Sequence, residues 1–157
     1  MKSNLISKSE TSALLKKVSE DWRIEFPKMK NVRVHQILND AQIITGEGLK
    51  ILKINEYYLP FLSTEILKKF PNVEVDMGAV KFMCKGANLM RPGIKKFTEF
   101  EKGKLVCIVE ETHHKFLAVG KAMVSSSELE KMEKGEVIQN IHYISDKFWE
   151  TGKTIYN

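Results

Sequence analysis

The sequence predicts an α+β protein with a small N-terminal α/β domain followed by a small closed barrel of mixed β-strands with two short helices. One amphipathic helix followed by short alternating segments predicts the first domain. Near Asn72 the sequence pattern changes to one of many short strands and brief helices, which predicts the second domain. The 157 residues are 43% hydrophobic, enough for a real core, but each half alone would be marginal. We therefore expect domains 1–72 and 73–157 to pack together.

The N-terminal domain is predicted to begin with a helix. Ser7 and Glu10 have the spacing of a capping box, in which each side chain satisfies a backbone amide of the other residue. Apolar residues then recur every fourth position up to Trp22, as on the buried face of a helix, and Pro27 follows its end. Extended segments are expected after it, at 32–37, 42–44 and, mixed with loop, 49–62. Thr64 is expected to cap a short helix through Lys69.

The C-terminal domain is predicted to consist mainly of short strands, since closure of a small barrel removes exposed strand edges. The expected strands are 73–76, 87–90, 105–109, 116–125 and 137–144. A helix is expected over 79–85, stopped by Gly86, which can adopt a left-handed conformation. Ser127 is expected to cap the second helix, through Lys134. A final turn is expected at Phe148-Trp149.

Positive charge is concentrated in one short segment. The net charge is +5, but residues 77–96 carry five basic side chains and no acidic one, whereas residues 97–157 carry eight basic and ten acidic ones. The five are Lys81, Lys85, Arg91, Lys95 and Lys96. Such a segment is typical of a contact with a phosphate backbone. On charge alone, a solvated surface that serves only solubility is an equal alternative.

The same segment contains a spaced set of small and turn-forming residues. Residues 75–94 read VDMGAVKFMCKGANLMRPGI. Gly78 and Gly86 allow close approach of backbone or a positive φ at both ends of the predicted helix. Ala79 and Ala87 keep large side chains away from that backbone, and Pro92-Gly93 makes a tight turn. One Gly-Ala pair would carry no information, but the complete spacing is specific.

This set resembles the defining motif of PUA domains. Residues 117–122, LAVGKA, resemble the PUA strand with an apolar-Val-Gly core, in which Gly120 permits tight packing inside the barrel. The ending at 140–149, NIHYISDKFW, is similar to that of the malignant T-cell amplified sequence (MCT) family, whose members place a distinct domain before the barrel. The resemblance covers nearly the whole chain, is strongest over 73–150, and the short loops resemble archaeal members.

The resemblance implies an RNA-binding protein of translation. The implied RNA-binding residues are Gly78, Ala79, Lys81, Lys85, Gly86, Ala87, Arg91, Pro92, Gly93 and Lys95. In this family the partners are the small ribosomal subunit with its rRNA and, in fused relatives, tRNA near its acceptor end. Eukaryotic members also pair with a protein that carries a SUI-type domain. For this chain we expect a monomer that binds rRNA or tRNA, with a SUI-type protein as a further possible partner.

The expected mechanism is electrostatic and geometric. Lys81 and Lys85 are four residues apart, so on one helix they share a face and can neutralise successive phosphates. Arg91 offers a planar fork for a phosphate or a surface on which a base can stack. Recognition should favour single-stranded or terminal nucleotides, because A-form helices hide their base edges. The structural alternative is that the glycines only shape the barrel and the lysines are solvated.

Other classes of function find little support in the sequence. No Ser/His/Asp or Cys/His arrangement indicates catalysis, and His113-His114 beside Glu110-Glu111 lack a further metal ligand, so we expect no enzyme activity, metal or cofactor. The N-terminus does not resemble a signal peptide, no apolar run has membrane-spanning length, and two cysteines suit a reducing compartment, so a cytoplasmic location is expected. Two alternatives remain: an RNA-targeting accessory subunit of an RNA-modifying enzyme, and an adaptor that binds only proteins.

Overall fold

Two β-sheets organise the chain. The computed structural model describes residues 1–155, and its first sheet has five strands in the order β1-β2-β3-β4-β5, all antiparallel. The strands are β1 (Lys2–Leu5), β2 (Arg33–Leu38), β3 (Ala41–Gly46), β4 (Leu49–Ile54) and β5 (Tyr57–Pro60). Helix α1 (Lys8–Trp22) connects β1 to β2, and a 3₁₀ helix at Glu65–Lys69 leads to the second sheet.

The second sheet has six strands in the order β7-β11-β10-β9-β6-β8. They are β6 (Asn72–Val75), β7 (Leu89–Met90), β8 (Ile94–Phe97), β9 (Leu105–Glu110), β10 (Phe116–Ala122) and β11 (Glu136–Tyr143). β6 runs parallel to β9 while the other pairs are antiparallel, which confirms the prediction of mixed strands. The chain passes from one sheet to the other between Pro60 and Asn72; the division into two domains at that point stays a prediction.

The short helices of the second half differ in part from the prediction. They are α2 (Val80–Met83), α3 (Ser126–Lys131) and α4 (Lys147–Gly152), with 3₁₀ turns at Met77–Ala79 and Arg91–Gly93. Phe148 and Trp149, where a final turn was expected, thus belong to a third helix. Its N-cap is Asp146, whose carboxylate accepts a hydrogen bond from the Trp149 amide at 2.6 Å.

Helix α1 begins as predicted. The Glu10 amide donates to Ser7 Oγ at 3.1 Å and the Ser7 amide donates to Glu10 Oε1 at 3.2 Å, so the capping box is complete. The buried Trp22 at the other end donates from Nε1 to the Tyr58 carbonyl oxygen at 2.9 Å. Helix α1 is therefore fixed to β5, at one edge of the first sheet.

Two predicted caps are wrong. Thr64 makes no cap; its hydroxyl donates to the Phe61 carbonyl oxygen at 2.7 Å, and the segment after it is a 3₁₀ helix. Helix α3 is capped by Ser125, whose Oγ accepts from the Glu128 amide at 3.2 Å, and not by Ser127. Helix α3 ends at Lys131, three residues before the predicted end, and β10 ends at Ala122 instead of Ser125.

The two sheets share one of the two hydrophobic core clusters, and the other cluster lies within the second half of the chain. Cys107 of β9 and Val119 of β10 are fully buried in the cluster that also holds the buried residues of the first sheet. Phe61, just after β5, contacts His142 of β11, with 4.9 Å between ring centroids. Lys50 of β4 donates to the carbonyl oxygens of Gly152 and Ile155, at 3.1 and 2.9 Å, and burial lowers its pKa. The halves therefore pack firmly together.

Residues 1–155 hold neither a membrane-spanning helix nor a metal-binding cluster of side chains. No helix in this range is both long and apolar enough to cross a bilayer. No three His, Cys, Asp or Glu side chains of the same range lie together as metal ligands. The backbone amides of His113 and His114 instead donate to the Glu110 carboxylate, which closes the turn between β9 and β10.

Candidate nucleic-acid interface

The predicted RNA-binding segment begins with a capped turn after β6. Asp76 is the cap of this turn, and its Oδ1 accepts a hydrogen bond from the Ala79 amide at 3.0 Å. The Met77 amide donates to Glu111 Oε2 at 2.9 Å. Two carboxylates thus hold the backbone around Gly78, which is itself exposed. A Cβ at Gly78 would meet only Asp76 Oδ1, at 3.2 Å, so the outer side of this backbone is open.

Helix α2 is shorter than the predicted helix over 79–85. Its last turn tightens, because the amides of Lys85 and Gly86 donate to carbonyl oxygens three residues earlier. Gly86 adopts φ +88°, and the Ala87 amide then donates back to the Phe82 carbonyl oxygen at 3.1 Å. Gly86 therefore ends the helix in the left-handed conformation that the sequence predicts.

Asparagine side chains fix the backbone that follows α2. Asn140 Nδ2 donates to the carbonyl oxygens of Met83 and Ala87, at 3.0 and 3.1 Å. Asn88 Oδ1 accepts from the Asn140 amide at 3.0 Å, and Asn88 Nδ2 donates to Glu136 Oε2 at 3.0 Å. β11 therefore holds this loop in one conformation, and a ligand meets a surface that is already formed.

An open apolar cavity of about 430 Å³ lies on this surface. All of its lining residues belong to the segment from Asp76 to Gly93, and none comes from the first sheet. The lining residues are Asp76, Gly78, Ala79, Phe82, Met83, Ala87, Asn88, Leu89, Met90, Pro92 and Gly93. Five predicted site residues (Gly78, Ala79, Ala87, Pro92 and Gly93) are therefore brought together around one concave site.

The predicted lysines flank this cavity and do not line it. Lys81 lies on α2, Lys85 lies in the turn after it, and Lys95 lies on β8; all three are exposed. Lys81 Nζ sits 5.1 Å from the centre of the Phe82 ring. Within residues 1–155 none of the three forms an ion pair with a carboxylate, so their charges are available to an anionic ligand.

Arg91 has a structural contact of its own. Its Nε donates to the Met132 carbonyl oxygen at 3.0 Å and its Nη1 donates to that of Ile94 at 3.4 Å. Its backbone amide also donates to the Gly135 carbonyl oxygen at 2.9 Å. The guanidinium therefore joins the 3₁₀ turn at 91–93 to the segment between α3 and β11, and only part of its predicted fork faces outward.

Phe82 is the main residue of this surface that the sequence analysis missed. It lies within the helix predicted over 79–85, and 52% of it is exposed, while Met83 is buried. Val80 and Met83 are three apart and share the inner face of α2, which places Phe82 on the other side. Met77 and Met90 are each 47% exposed, and Met90 lines the same cavity as Phe82. Helical spacing would have identified Phe82 as the exposed ring.

We expect Gly86→Ala to lower the free energy of unfolding by about 1–3 kcal/mol, because an L side chain at φ +88° is strained. The added Cβ would also lie 2.8 Å from Tyr143 Cε1. Thermal unfolding measures the loss. Gly48→Ala is the matched control, since Gly48 has φ +70° and nothing within 4 Å of such a Cβ. Equal losses in the two variants would show that Tyr143 moves aside freely.

Comparison with known proteins identifies the second half of the chain. Residues 71–144 match the model of the PUA domain. Protein MJ1432 of Methanocaldococcus jannaschii is 34% identical over 86% of this chain and 90% of its own length. Malignant T-cell-amplified sequence 1 of Danio rerio is 32% identical over 83% of this chain and 77% of its own length. Translation machinery-associated protein 20 of Saccharomyces cerevisiae is 32% identical over 78% of this chain and 74% of its own length.

Solved structures resemble the chain over nearly its whole length or over part of it. A hypothetical protein of Pyrococcus horikoshii has a TM-score of 0.81 and 27% identity, and the match covers 96% of this chain and 99% of that one. A chain of an H/ACA ribonucleoprotein bound to a substrate RNA matches with a TM-score of 0.50 and 27% identity, over 60% of this chain and 29% of that chain. The similarity to curated relatives extends beyond the barrel to most of both chains. The protein is therefore a PUA-domain protein of the malignant T-cell-amplified sequence family.

Proposed function

We propose that this protein is a non-enzymatic RNA-binding protein of translation, active in initiation or recycling, that contacts rRNA of the small ribosomal subunit, tRNA, or both. The proposed surface consists of the ten residues named above and the exposed Phe82. The observation that carries the proposal is the open apolar cavity at Asp76–Gly93, with side-chain-free backbone at Gly78 and unpaired lysines beside it. This combination suits a nucleotide better than it suits a solvated barrel edge.

The two kinds of group on this surface have different tasks. The exposed Phe82 ring, with Met90 in the same cavity lining, gives an apolar surface on which an unpaired base can stack. Lys81, Lys85 and Lys95 supply the positive charge that attracts the phosphates. A paired A-form helix presents neither an accessible base face nor a readable major groove, so single-stranded or terminal nucleotides are the expected ligands.

The names of relatives support the setting in translation. One curated relative is a translation machinery-associated protein, and a structural relative is part of a ribonucleoprotein bound to RNA. We place the protein in the cytoplasm as a monomer, built from domains 1–72 and 73–157, with a SUI-type protein as a candidate partner. Size-exclusion chromatography with light scattering, followed by co-purification from cell extract, tests the monomer and the partner.

The double variant Lys81→Glu/Lys85→Glu tests the surface. We expect its affinity for a fluorescein-labelled single-stranded RNA to fall at least about tenfold at about 50 mM salt, because two phosphate contacts become repulsive. Fluorescence anisotropy measures the affinity. The matched control is Lys8→Glu/Lys16→Glu, which makes the same change in net charge at exposed positions of α1.

Unchanged affinity in the Lys81/Lys85 variant, or an equal loss in the control, would remove α2 from the RNA-binding site. All four lysines are exposed, so both variants should keep their folds. Thermal unfolding checks this. RNA binding should also weaken steeply as salt rises, whereas a protein-only adaptor would bind its partner despite added salt or nuclease.

The second candidate function is an RNA-targeting accessory subunit of an RNA-modifying enzyme. The similarity to a chain of an H/ACA ribonucleoprotein favours it. Affinity purification from cell extract separates the two functions. Recovery of small ribosomal subunits or tRNA supports the first, and recovery of a modifying enzyme without ribosomal subunits supports the second.

A further inference from the structure

A groove of about 400 Å³ lies between the edge strand β5 and the second sheet, and none of its lining residues lines the cavity described above. One wall comes from the end of α1 and from β5, with the rings of Trp22, Tyr57 and Tyr58. The opposite wall comes from the start of β9 and from β10, with Lys104 and Lys121. The groove is therefore built by both halves of the chain.

Tyr57 is the most exposed large aromatic side chain of the described residues, with 57% of its surface accessible. Lys121 Nζ lies 5.5 Å from the centre of its ring. The neighbouring Tyr58 is buried, and its ring is contacted by Lys17 and Lys53, at 5.5 and 5.6 Å. An exposed ring beside ammonium groups is the pairing on which proteins bind single strands: bases stack on the ring and phosphates approach the cations.

The charges divide the groove into two sides. Lys104 and Lys121 have no ion pair within residues 1–155, and the contact of Lys121 with the Tyr57 ring is weak at an exposed site. Lys17 lies 3.9 Å from Glu56, with both side chains more than half exposed. Glu20, Asp21 and Glu56 line the side near α1, so a polyanion is directed to the side of Lys104 and Lys121.

We propose that Tyr57 forms, with Lys104 and Lys121, a second contact surface for single-stranded RNA. The proposal rests on the proposed function in that the chain must bind RNA. It does not depend on the cavity at Asp76–Gly93. A bound strand stacks one base on Tyr57, and its flanking phosphates replace the ring as the partner of Lys121.

The test compares Tyr57→Leu with Tyr57→Phe, since only the second keeps the ring. Each change is made in the unmodified chain and in the Lys81→Glu/Lys85→Glu chain, and binding of a labelled 12-nucleotide RNA pool of random sequence is followed by anisotropy. We expect Tyr57→Leu to weaken binding about five- to tenfold in both backgrounds and Tyr57→Phe to leave it unchanged. Thermal unfolding verifies the fold of each variant.

A second measurement uses charge. Lys121→Gln should lower the slope of log affinity against log salt by about 0.7, the share of one phosphate contact on a single strand, while the control Lys131→Gln on α3 should not. Unchanged affinity in Tyr57→Leu in both backgrounds, or equal losses in Tyr57→Leu and Tyr57→Phe, overturns the proposal. A Lys121→Gln variant whose slope of log affinity against log salt equals that of the unmodified chain also overturns it.

The failure of each proposal is distinguishable. If the Lys81/Lys85 change has no effect and Tyr57→Leu weakens binding, the surface at Tyr57 stands and the one at α2 falls. If Tyr57→Leu has no effect and the Lys81/Lys85 change weakens binding, the surface at α2 stands and the one at Tyr57 falls. If the unmodified chain binds no RNA, both are overturned.

Discussion

Replacement of Asp146 by alanine is expected to lower the free energy of unfolding by about 3 kcal/mol, since it removes a helix cap and leaves buried donors without an acceptor. Asp146 is buried, and its carboxylate contacts His142 Nδ1 at 2.8 Å while it accepts from the amides of Tyr143 and Trp149, at 2.8 and 2.6 Å. Urea unfolding at neutral pH measures the loss.

The consequence extends to the packing of the two sheets. His142 is fully buried, and its Nε2 accepts a hydrogen bond from the Leu62 amide at 3.3 Å, so Asp146 orients the ring that joins β11 to the segment after β5. Asp21→Ala is the matched control, because Asp21 is exposed at the end of α1 and its loss should cost less than about 0.5 kcal/mol. A small loss in Asp146→Ala would mean that water or a rotated His142 satisfies these donors.

The same carboxylate predicts a dependence on pH. Burial opposes ionisation of Asp146, but the hydrogen bonds from His142 and from the amides of Trp149 and Tyr143 outweigh it, and the pKa lies below its usual value. The unfolded chain therefore binds this proton more readily than the folded chain. The stabilisation is complete above the usual aspartate pKa of about 3.9 and is lost as pH falls through the lower folded pKa.

Asp146→Ala should therefore lose less stability than the unmodified chain when the pH is lowered from about 5 to 2. Urea unfolding over this range tests the difference between the two proteins, which removes the contribution of Glu110, whose pKa is also lowered. Parallel loss of stability in the two proteins would contradict the assignment.

Prediction from the sequence worked where a local interaction decides the structure. The capping box at Ser7 and Glu10 and the left-handed Gly86 each depend on residues close in sequence, and both are present. The Ser125 cap was missed although Ser125 and Glu128 have the spacing of a capping box, because three consecutive serines offer competing starts.

Prediction failed where contacts between residues far apart in sequence decide the structure. β1 was not predicted, because all four of its residues are exposed and carry no alternation of apolar and polar side chains. It forms only because β2 offers an edge, with Ser3 Oγ 2.8 Å from the ring of the buried His35. In the candidate site, sequence spacing located the small residues around the cavity. It did not predict the hydrogen bonds from Asn140 to the carbonyl oxygens of Met83 and Ala87, because Asn140 lies more than fifty residues away.

Gly120→Ala is expected to have the largest effect on folding, a loss of about 4 kcal/mol or more, because the new methyl group would overlap the backbone of β11. A Cβ at Gly120 would lie 2.2 Å from the Gln139 carbonyl oxygen and 2.5 Å from Ile138 Cγ2. Gln139 cannot retreat, since β10 and β11 are hydrogen-bonded on both sides of the register shift at Val119/Gly120.

The measurement is urea unfolding, or the yield of folded protein where no transition remains. Gly93→Ala is the matched control: its φ is not positive and a Cβ there would come no closer than 3.5 Å to another atom, so a loss within about 1 kcal/mol is expected. A folded Gly120→Ala protein of nearly unchanged stability would mean that β11 can shift away from β10. Since Asn140 follows Gln139 on the same strand and holds the carbonyl oxygens of Met83 and Ala87, such a shift would also disturb the candidate RNA surface.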